Sequence, residues 1–163
     1  MPLPEPIILI DKLYEEIVEI IDINTCLIGI PNGGNLILNE LKKKIKLDIN
    51  YGLIDCSYYR DDLDASGLKV RENTTSINFN VDGKKIILID DVFYTGRTIR
   101  AAMNELFDFG RPKEIKLFVL INREMNELPI KPDFSSLEIN VPYDKYIDLI
   151  DKDGKLIFRS REI

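Results

Sequence analysis

Lys85-Ile86-Ile87-Leu88-Ile89-Asp90-Asp91-Val92-Phe93-Tyr94-Thr95-Gly96-Arg97-Thr98-Ile99 reads as a strand, two adjacent carboxylates, a short polar turn with one glycine, and a helix start. The apolar run 86–89 fits a strand covered on both faces. Asp90 and Asp91 then fall at its carboxyl end, where open α/β sheets bind ligands. Neighbouring carboxylates repel each other unless a metal or a pair of hydroxyls satisfies them. The helix expected over 98–109 offers unpaired N–H groups and a partial positive charge to an anion. Gly96 permits close backbone approach, and Thr95 and Thr98 supply hydroxyls. The stretch therefore suits a phosphorylated sugar. A plain strand–helix turn fits the same residues. So does the acidic pocket of a receiver-type phosphoacceptor, which predicts a lysine at the end of a later strand, where Asn122-Arg123 stands instead.

Working outward, strands and helices alternate. Leu13, Ile17, Ile20 and Ile21 recur at helical spacing to about Asp22, with Asp11 as a candidate cap and 7–10 as a lead-in or short strand. Residues 25–30 read as a buried strand and end in Pro31-Asn32-Gly33-Gly34. A helix over 35–46 sets Leu36, Leu38, Leu41 and Ile45 against Lys42-Lys43-Lys44. Further strands are expected over 51–56, 115–121, 146–150 and 155–158, the last two around Asp153-Gly154. Gly110-Arg111-Pro112 stops the helix after the acidic pair. The polar segment 61–82 is too long for an ordinary connection, which makes it a functional loop or a projecting hairpin. This order implies a mainly parallel sheet with helices on both faces, built as a single domain over 1–163.

Composition narrows the chemistry. A chain of 163 residues with 45% hydrophobic content builds a sizeable core. There is no histidine, which excludes a Ser-His-Asp triad and a Cys/His zinc site. Cys26 and Cys56 sit in apolar contexts without metal-ligand spacing and read as small buried side chains in a reducing compartment. Met1-Pro2-Leu3-Pro4-Glu5-Pro6 has no basic residue before its apolar run, unlike a secretory signal, and no stretch is long enough to span a membrane. A cytoplasmic protein is expected. The net charge of −6 gives no general attraction to nucleic acid.

Two acids followed by Val-Phe-Tyr-Thr-Gly-Arg-Thr resemble the PRPP-binding signature of type I phosphoribosyltransferases. Three segments together resemble the PyrR family of uracil phosphoribosyltransferases and pyrimidine-operon regulators. These are 87–103; Ser57-Tyr58-Tyr59-Arg60-Asp61-Asp62-Leu63; and Asn122-Arg123 followed by Glu127-Leu128-Pro129-Ile130-Lys131-Pro132-Asp133-Phe134. The similarity runs from about Ile8 to Pro142.

The resemblance implies an α/β fold: a mainly parallel twisted sheet flanked by helices, with a flexible flap and a small hood. It implies transfer from PRPP to uracil, giving UMP and pyrophosphate. Asp90, Asp91 and Arg60 would be catalytic, the two acids on the ribose hydroxyls. Val92, Tyr94, Thr95, Gly96, Arg97 and Thr98 would hold PRPP and its 5′-phosphate. Pro31, Asn32, Gly33 and Gly34 would form the pyrophosphate loop, where the family usually places Thr-Arg before a single glycine. Ile121, Asn122 and Arg123 would meet the base, although the family usually has Asp at 122 and Gly-His-Arg where Glu124-Met125-Asn126 stand. Asp61, Asp62 and Arg71 would belong to the flap. Mg2+ would be held mainly by PRPP and water, with no direct protein ligand. A homodimer or higher homo-oligomer is implied, and so is a leader mRNA as a partner of a regulatory form. Lys42, Lys43, Lys44, Lys46, Arg111, Lys113 and Lys131 are the candidates for an RNA face, the lysine run also reading as a solvated helix face. A phosphoribosyltransferase for another base is the remaining alternative, since Gly33-Gly34 resembles purine enzymes.

Overall fold

The computed structural model describes residues 2–56, 75–140 and 144–162. Arg60, Asp61, Asp62 and Arg71, with the rest of the 57–63 segment, lie outside the described residues. The described elements alternate along the chain: α1 (Pro6–Ile20), β1 (Thr25–Gly29), α2 (Gly33–Lys44), β2 (Asn50–Leu53), β3 (Lys85–Phe93), α3 (Arg97–Phe107), β4 (Glu114–Asn122) and β5 (Phe134–Glu138). A two-stranded ribbon of β6 (Lys145–Lys152) and β7 (Lys155–Glu162) follows.

The first five strands form one sheet in the order β2-β1-β3-β4-β5, and every pairing in it is parallel. β3 runs through its middle, and its side chains divide the core by strict alternation. Ile87 and Ile89 join Leu9, Leu13, Ile37 and Leu41 of α1 and α2 on one face. Ile86 and Leu88 join Ile99, Ala102 and Leu106 of α3 on the other. Burial on both faces is why this strand reads as an unbroken apolar run. The antiparallel ribbon turns at Asp153-Gly154, both at positive φ. It buries Ile147 and Leu149 against the α1/α2 face.

Several boundaries differ from the sequence reading. α1 begins at Pro6, where a proline at the first helical turn loses no hydrogen bond, so Asp11 is interior rather than a cap. β3 continues through Asp90 and Asp91 to Phe93, because Val92 and Phe93 still pair with Ile121 and Asn122. A ladder is made by backbone groups, so two carboxylates do not end it. α2 begins at Gly33, two residues early, and α3 spans Arg97–Phe107. β5 was not foreseen. Its Phe134-Ser135-Ser136 start follows a proline-rich loop and lacks the long apolar run of a central strand.

Candidate active site

The strand order locates the site before any side chain is considered. The chain leaves β1 for β2 on one side, then returns to β3 on the other. The crevice beyond the carboxyl ends of β1 and β3 is therefore the topological switch point, the usual ligand site of an open parallel sheet. Two helices, α2 and α3, start from these strand ends. A cavity of about 450 Å³ opens here. Pro31 borders it after β1, Asp90 and Asp91 at the end of β3, and 94–98 on the turn into α3.

That turn is built for an anion. Gly96 sits at φ 92°, a left-handed conformation that favours glycine, and it occupies the N-cap position of α3. The Arg97 N–H donates to Thr95 Oγ1 at 3.2 Å, while Arg100 N–H closes the first helical turn on Gly96 O at 2.9 Å. The turn is braced from outside: Glu127 N–H donates to Thr95 O at 2.8 Å, and Arg97 Nε donates to Glu127 Oε2 at 2.8 Å. The Arg97 guanidinium thus reaches toward the 124–130 loop.

The two acids differ in setting. Asp90 is buried, and its Oδ1 accepts the Asp91 N–H at 3.0 Å. Asp91 is half-buried, and its Oδ2 accepts the Leu149 N–H from β6 at 2.7 Å. Burial pushes the Asp91 carboxyl above the ordinary carboxylate range, against the lowering effect of that hydrogen bond. A raised carboxyl pKa means that the folded protein keeps a proton the unfolded chain has released. Stability from this group is therefore full below the unfolded value, about 4, and is lost as pH climbs through the folded value. Asp91→Asn is expected to remove that loss. Urea midpoints of the two proteins should converge in acid, and the variant should gain relative to wild type toward neutrality. Parallel midpoint curves across this range would contradict the assignment.

The Pro31-Asn32-Gly33-Gly34 turn has a steric reason for its glycines. A Cβ on Gly33 would stand 2.2 Å from Asp91 Cγ, and one on Gly34 would stand 2.3 Å from the Ile89 carbonyl oxygen. The Pro31–Asn32 peptide bond is cis. Of these four residues only Pro31 borders the cavity; Asn32 takes the N-cap position of α2, and the glycines pack beneath.

The expected base residues separate. Ile121 is wholly buried in the α1/α2 core. Asn122 Oδ1 accepts the Glu124 N–H at 2.9 Å, a turn in which Glu124 has φ 53°. Arg123 borders the cavity, 1% exposed, with its guanidinium carbon 4.0 Å from the Tyr94 ring centroid. This is a cation–π stack. The far wall comes from the ribbon: Tyr146, Ile147 and Asp148 face the same space. Asp148 Oδ1 accepts from Arg159 Nε at 3.1 Å, and Arg161 lies 3.8 Å from Asp148 Oδ2. Sequence reasoning saw these residues only as a late strand. Nothing in Tyr-Ile-Asp marks a cavity wall until the ribbon is folded back onto β3.

The lysine run of α2 has partners within the chain. Lys43 pairs with Glu40 at 2.7 Å, Lys44 pairs with Asp11, and the Lys42 ammonium lies 5.2 Å from the Tyr51 ring centroid. No described helix is long and apolar enough to cross a membrane.

With this geometry in place, the comparisons have a site to refer to. Residues 3–148 match the phosphoribosyl transferase domain family. The chain is 39% identical over 152 residues to the bifunctional protein PyrR of Caldicellulosiruptor bescii, covering 86% of this chain and 82% of that one. It is 45% identical over 131 residues to its namesake from Elusimicrobium minutum, covering 77% and 73%. Among solved structures, a hypoxanthine-guanine phosphoribosyltransferase from Bacillus anthracis superposes with a TM-score of 0.64 at 19% identity, over 81% of this chain and 78% of that one. A hypoxanthine phosphoribosyltransferase from Staphylococcus aureus gives 0.64 at 16% identity, over 87% and 80%. These structures share the type I phosphoribosyltransferase fold with this chain. The switch-point crevice, the acidic pair on β3 and the glycine turn into α3 thus fall inside the matched domain, and the chain belongs to the PyrR family of phosphoribosyltransferases.

Proposed function

We propose that this protein transfers the phosphoribosyl group of PRPP to uracil, releasing pyrophosphate and forming UMP. The observation that carries this reading is the single crevice at the switch point. There an acid pair on β3, Asp90 buried and Asp91 half-buried, meets two helix starts. The 5′-phosphate rests on the turn 95–98 and the first N–H groups of α3, where backbone donors and helix polarity favour an anion. Asp90 and Asp91 face the ribose. The pyrophosphate lies toward Pro31 and the start of α2. The base occupies the space between Arg123 and the ribbon wall.

The reaction asks mainly for positioning and for charge matched to the transition state. As the bond from the anomeric carbon to pyrophosphate stretches, positive charge grows on the ribose ring. The Asp90 carboxylate, poorly solvated and close by, stabilises that charge more than it stabilises the ground state. A base nitrogen then forms its bond to the same carbon as the pyrophosphate oxygen leaves, and its proton passes to the released pyrophosphate or solvent. Asp90 and Asp91 would lie near a Mg2+ ion held mainly by PRPP oxygens and water, consistent with its preference for hydrated sites. Such an ion would supply positive charge that offsets the departing pyrophosphate. Asn32 stands where the family usually has an arginine, so less of that neutralisation comes from the chain.

The enzyme reading is favoured over an RNA-binding regulator without turnover, because the α2 lysine run, three of the seven basic residues offered for RNA, is engaged by Tyr51, Glu40 and Asp11. The test is a magnesium-dependent assay of pyrophosphate release from PRPP with uracil, hypoxanthine, guanine or no base. Release with uracil well above the others is expected. Release with a purine alone would replace uracil by that base. No release with any base, despite UMP binding, would leave the regulator.

A further inference from the structure

Besides the turn into α3 and Arg123, three walls of the cavity come from distant parts of the chain: the β1–α2 turn, the end of β3, and the β6–β7 ribbon. The ribbon is not in the main sheet. Among the described residues its strands pair only with each other, so ladder hydrogen bonds do not fix it to β3. Apolar packing of Ile147 and Leu149 holds it broadly in place, but such packing is non-directional and sets position less sharply than a hydrogen bond.

One side chain touches all three walls. Asp91 belongs to β3. Its Oδ2 receives the Leu149 N–H at 2.7 Å, in the strand that carries Tyr146 and Asp148. Its carboxyl carbon fills the space beside Gly33, where a Cβ would come within 2.2 Å. We propose that Asp91 is a positioning residue that pins the β6–β7 ribbon to the pyrophosphate-loop side of the cavity through Leu149, and so sets the wall facing the nucleobase. The clause about the base rests on the phosphoribosyl transfer reading; the mechanical link between Asp91 and Leu149 does not. A charged contact with ribose needs the carboxylate's charge. Pinning needs an acceptor oxygen of aspartate length. The two roles separate by substitution.

Asparagine keeps the length and the acceptor while losing the charge. Glutamate keeps the charge but carries one more methylene into a gap that Gly33 already closes. The experiment compares Asp91→Asn and Asp91→Glu by amide hydrogen exchange at Leu149 and by steady-state kinetics with PRPP and uracil. Asp91→Asn is expected to retain slow exchange at Leu149 even as it loses turnover through the missing charge on the ribose side. Asp91→Glu is expected to speed that exchange by about tenfold or more and raise the KM for the base. Slow exchange at Leu149 that persists in Asp91→Glu would overturn the proposal. Rapid exchange at Leu149 in the wild-type protein would overturn it too. If wild-type protein releases no pyrophosphate with any base, the transfer reading fails, and the exchange measurements alone decide the link.

Discussion

Asp90→Asn is expected to lower kcat/KM for pyrophosphate release by about 10²–10³-fold while leaving the melting temperature close to that of wild type. Asparagine matches aspartate in shape, and an amide oxygen can still accept the Asp91 N–H that Oδ1 now receives at 3.0 Å. What it lacks is negative charge. Asp90 is buried, so its field on a cationic ribose is less screened by water than that of a surface acid. The loss should appear in kcat rather than in the KM for PRPP, because the charge it answers develops only as the bond breaks. Single-turnover measurements would check the split. Full turnover by Asp90→Asn would remove the acid from the chemistry.

Gly34→Ala is expected to be the most damaging single-methyl change in the crevice, lowering stability by about 3 kcal/mol or more. The new Cβ would meet the Ile89 carbonyl oxygen at 2.3 Å. That oxygen belongs to backbone and already accepts the Ile30 N–H at 2.9 Å. It cannot swing aside as a side chain can. Relief requires α2 to move away from β3, which would open the core formed by Ile37, Leu41, Ile87 and Ile89. Urea denaturation would measure the effect. Gly83→Ala is the matched control: its Cβ would meet nothing within 4 Å, and it bears only the backbone penalty of φ 70°. Equal losses at the two positions would show that crowding against Ile89 is not the cause.

How much of this was legible beforehand depends on whether the determinant was local. The apolar run of β3, the acidic pair and the Gly96 turn are contiguous, so their order alone described a strand delivering carboxylates to a helix start. The parallel sheet followed from the alternation of elements. Strand β5 escaped because edge strands carry weak patterns. The start of α1 at Pro6 escaped because Asp11 offered a competing cap. The ribbon wall was beyond reach for a different reason. Tyr146 and Asp148 become neighbours of Asp90 only through the docking of Leu149 on Asp91, a contact spanning 58 positions in sequence. Gly33 and Gly34 were legible as loop residues after β1, and only the packing of α2 on β3 shows what a methyl group would strike.

β3 is enclosed on both faces and paired on both sides, so the acids it carries have a fixed address. Relocating them would mean rebuilding two layers of core. The ribbon is a different kind of part: two strands outside the main sheet, with a face that answers to no neighbour in it. Change can accumulate on that ribbon while the machinery on β3 stays put. Divergence within such a lineage would therefore alter which acceptor is chosen well before it altered how the sugar is transferred.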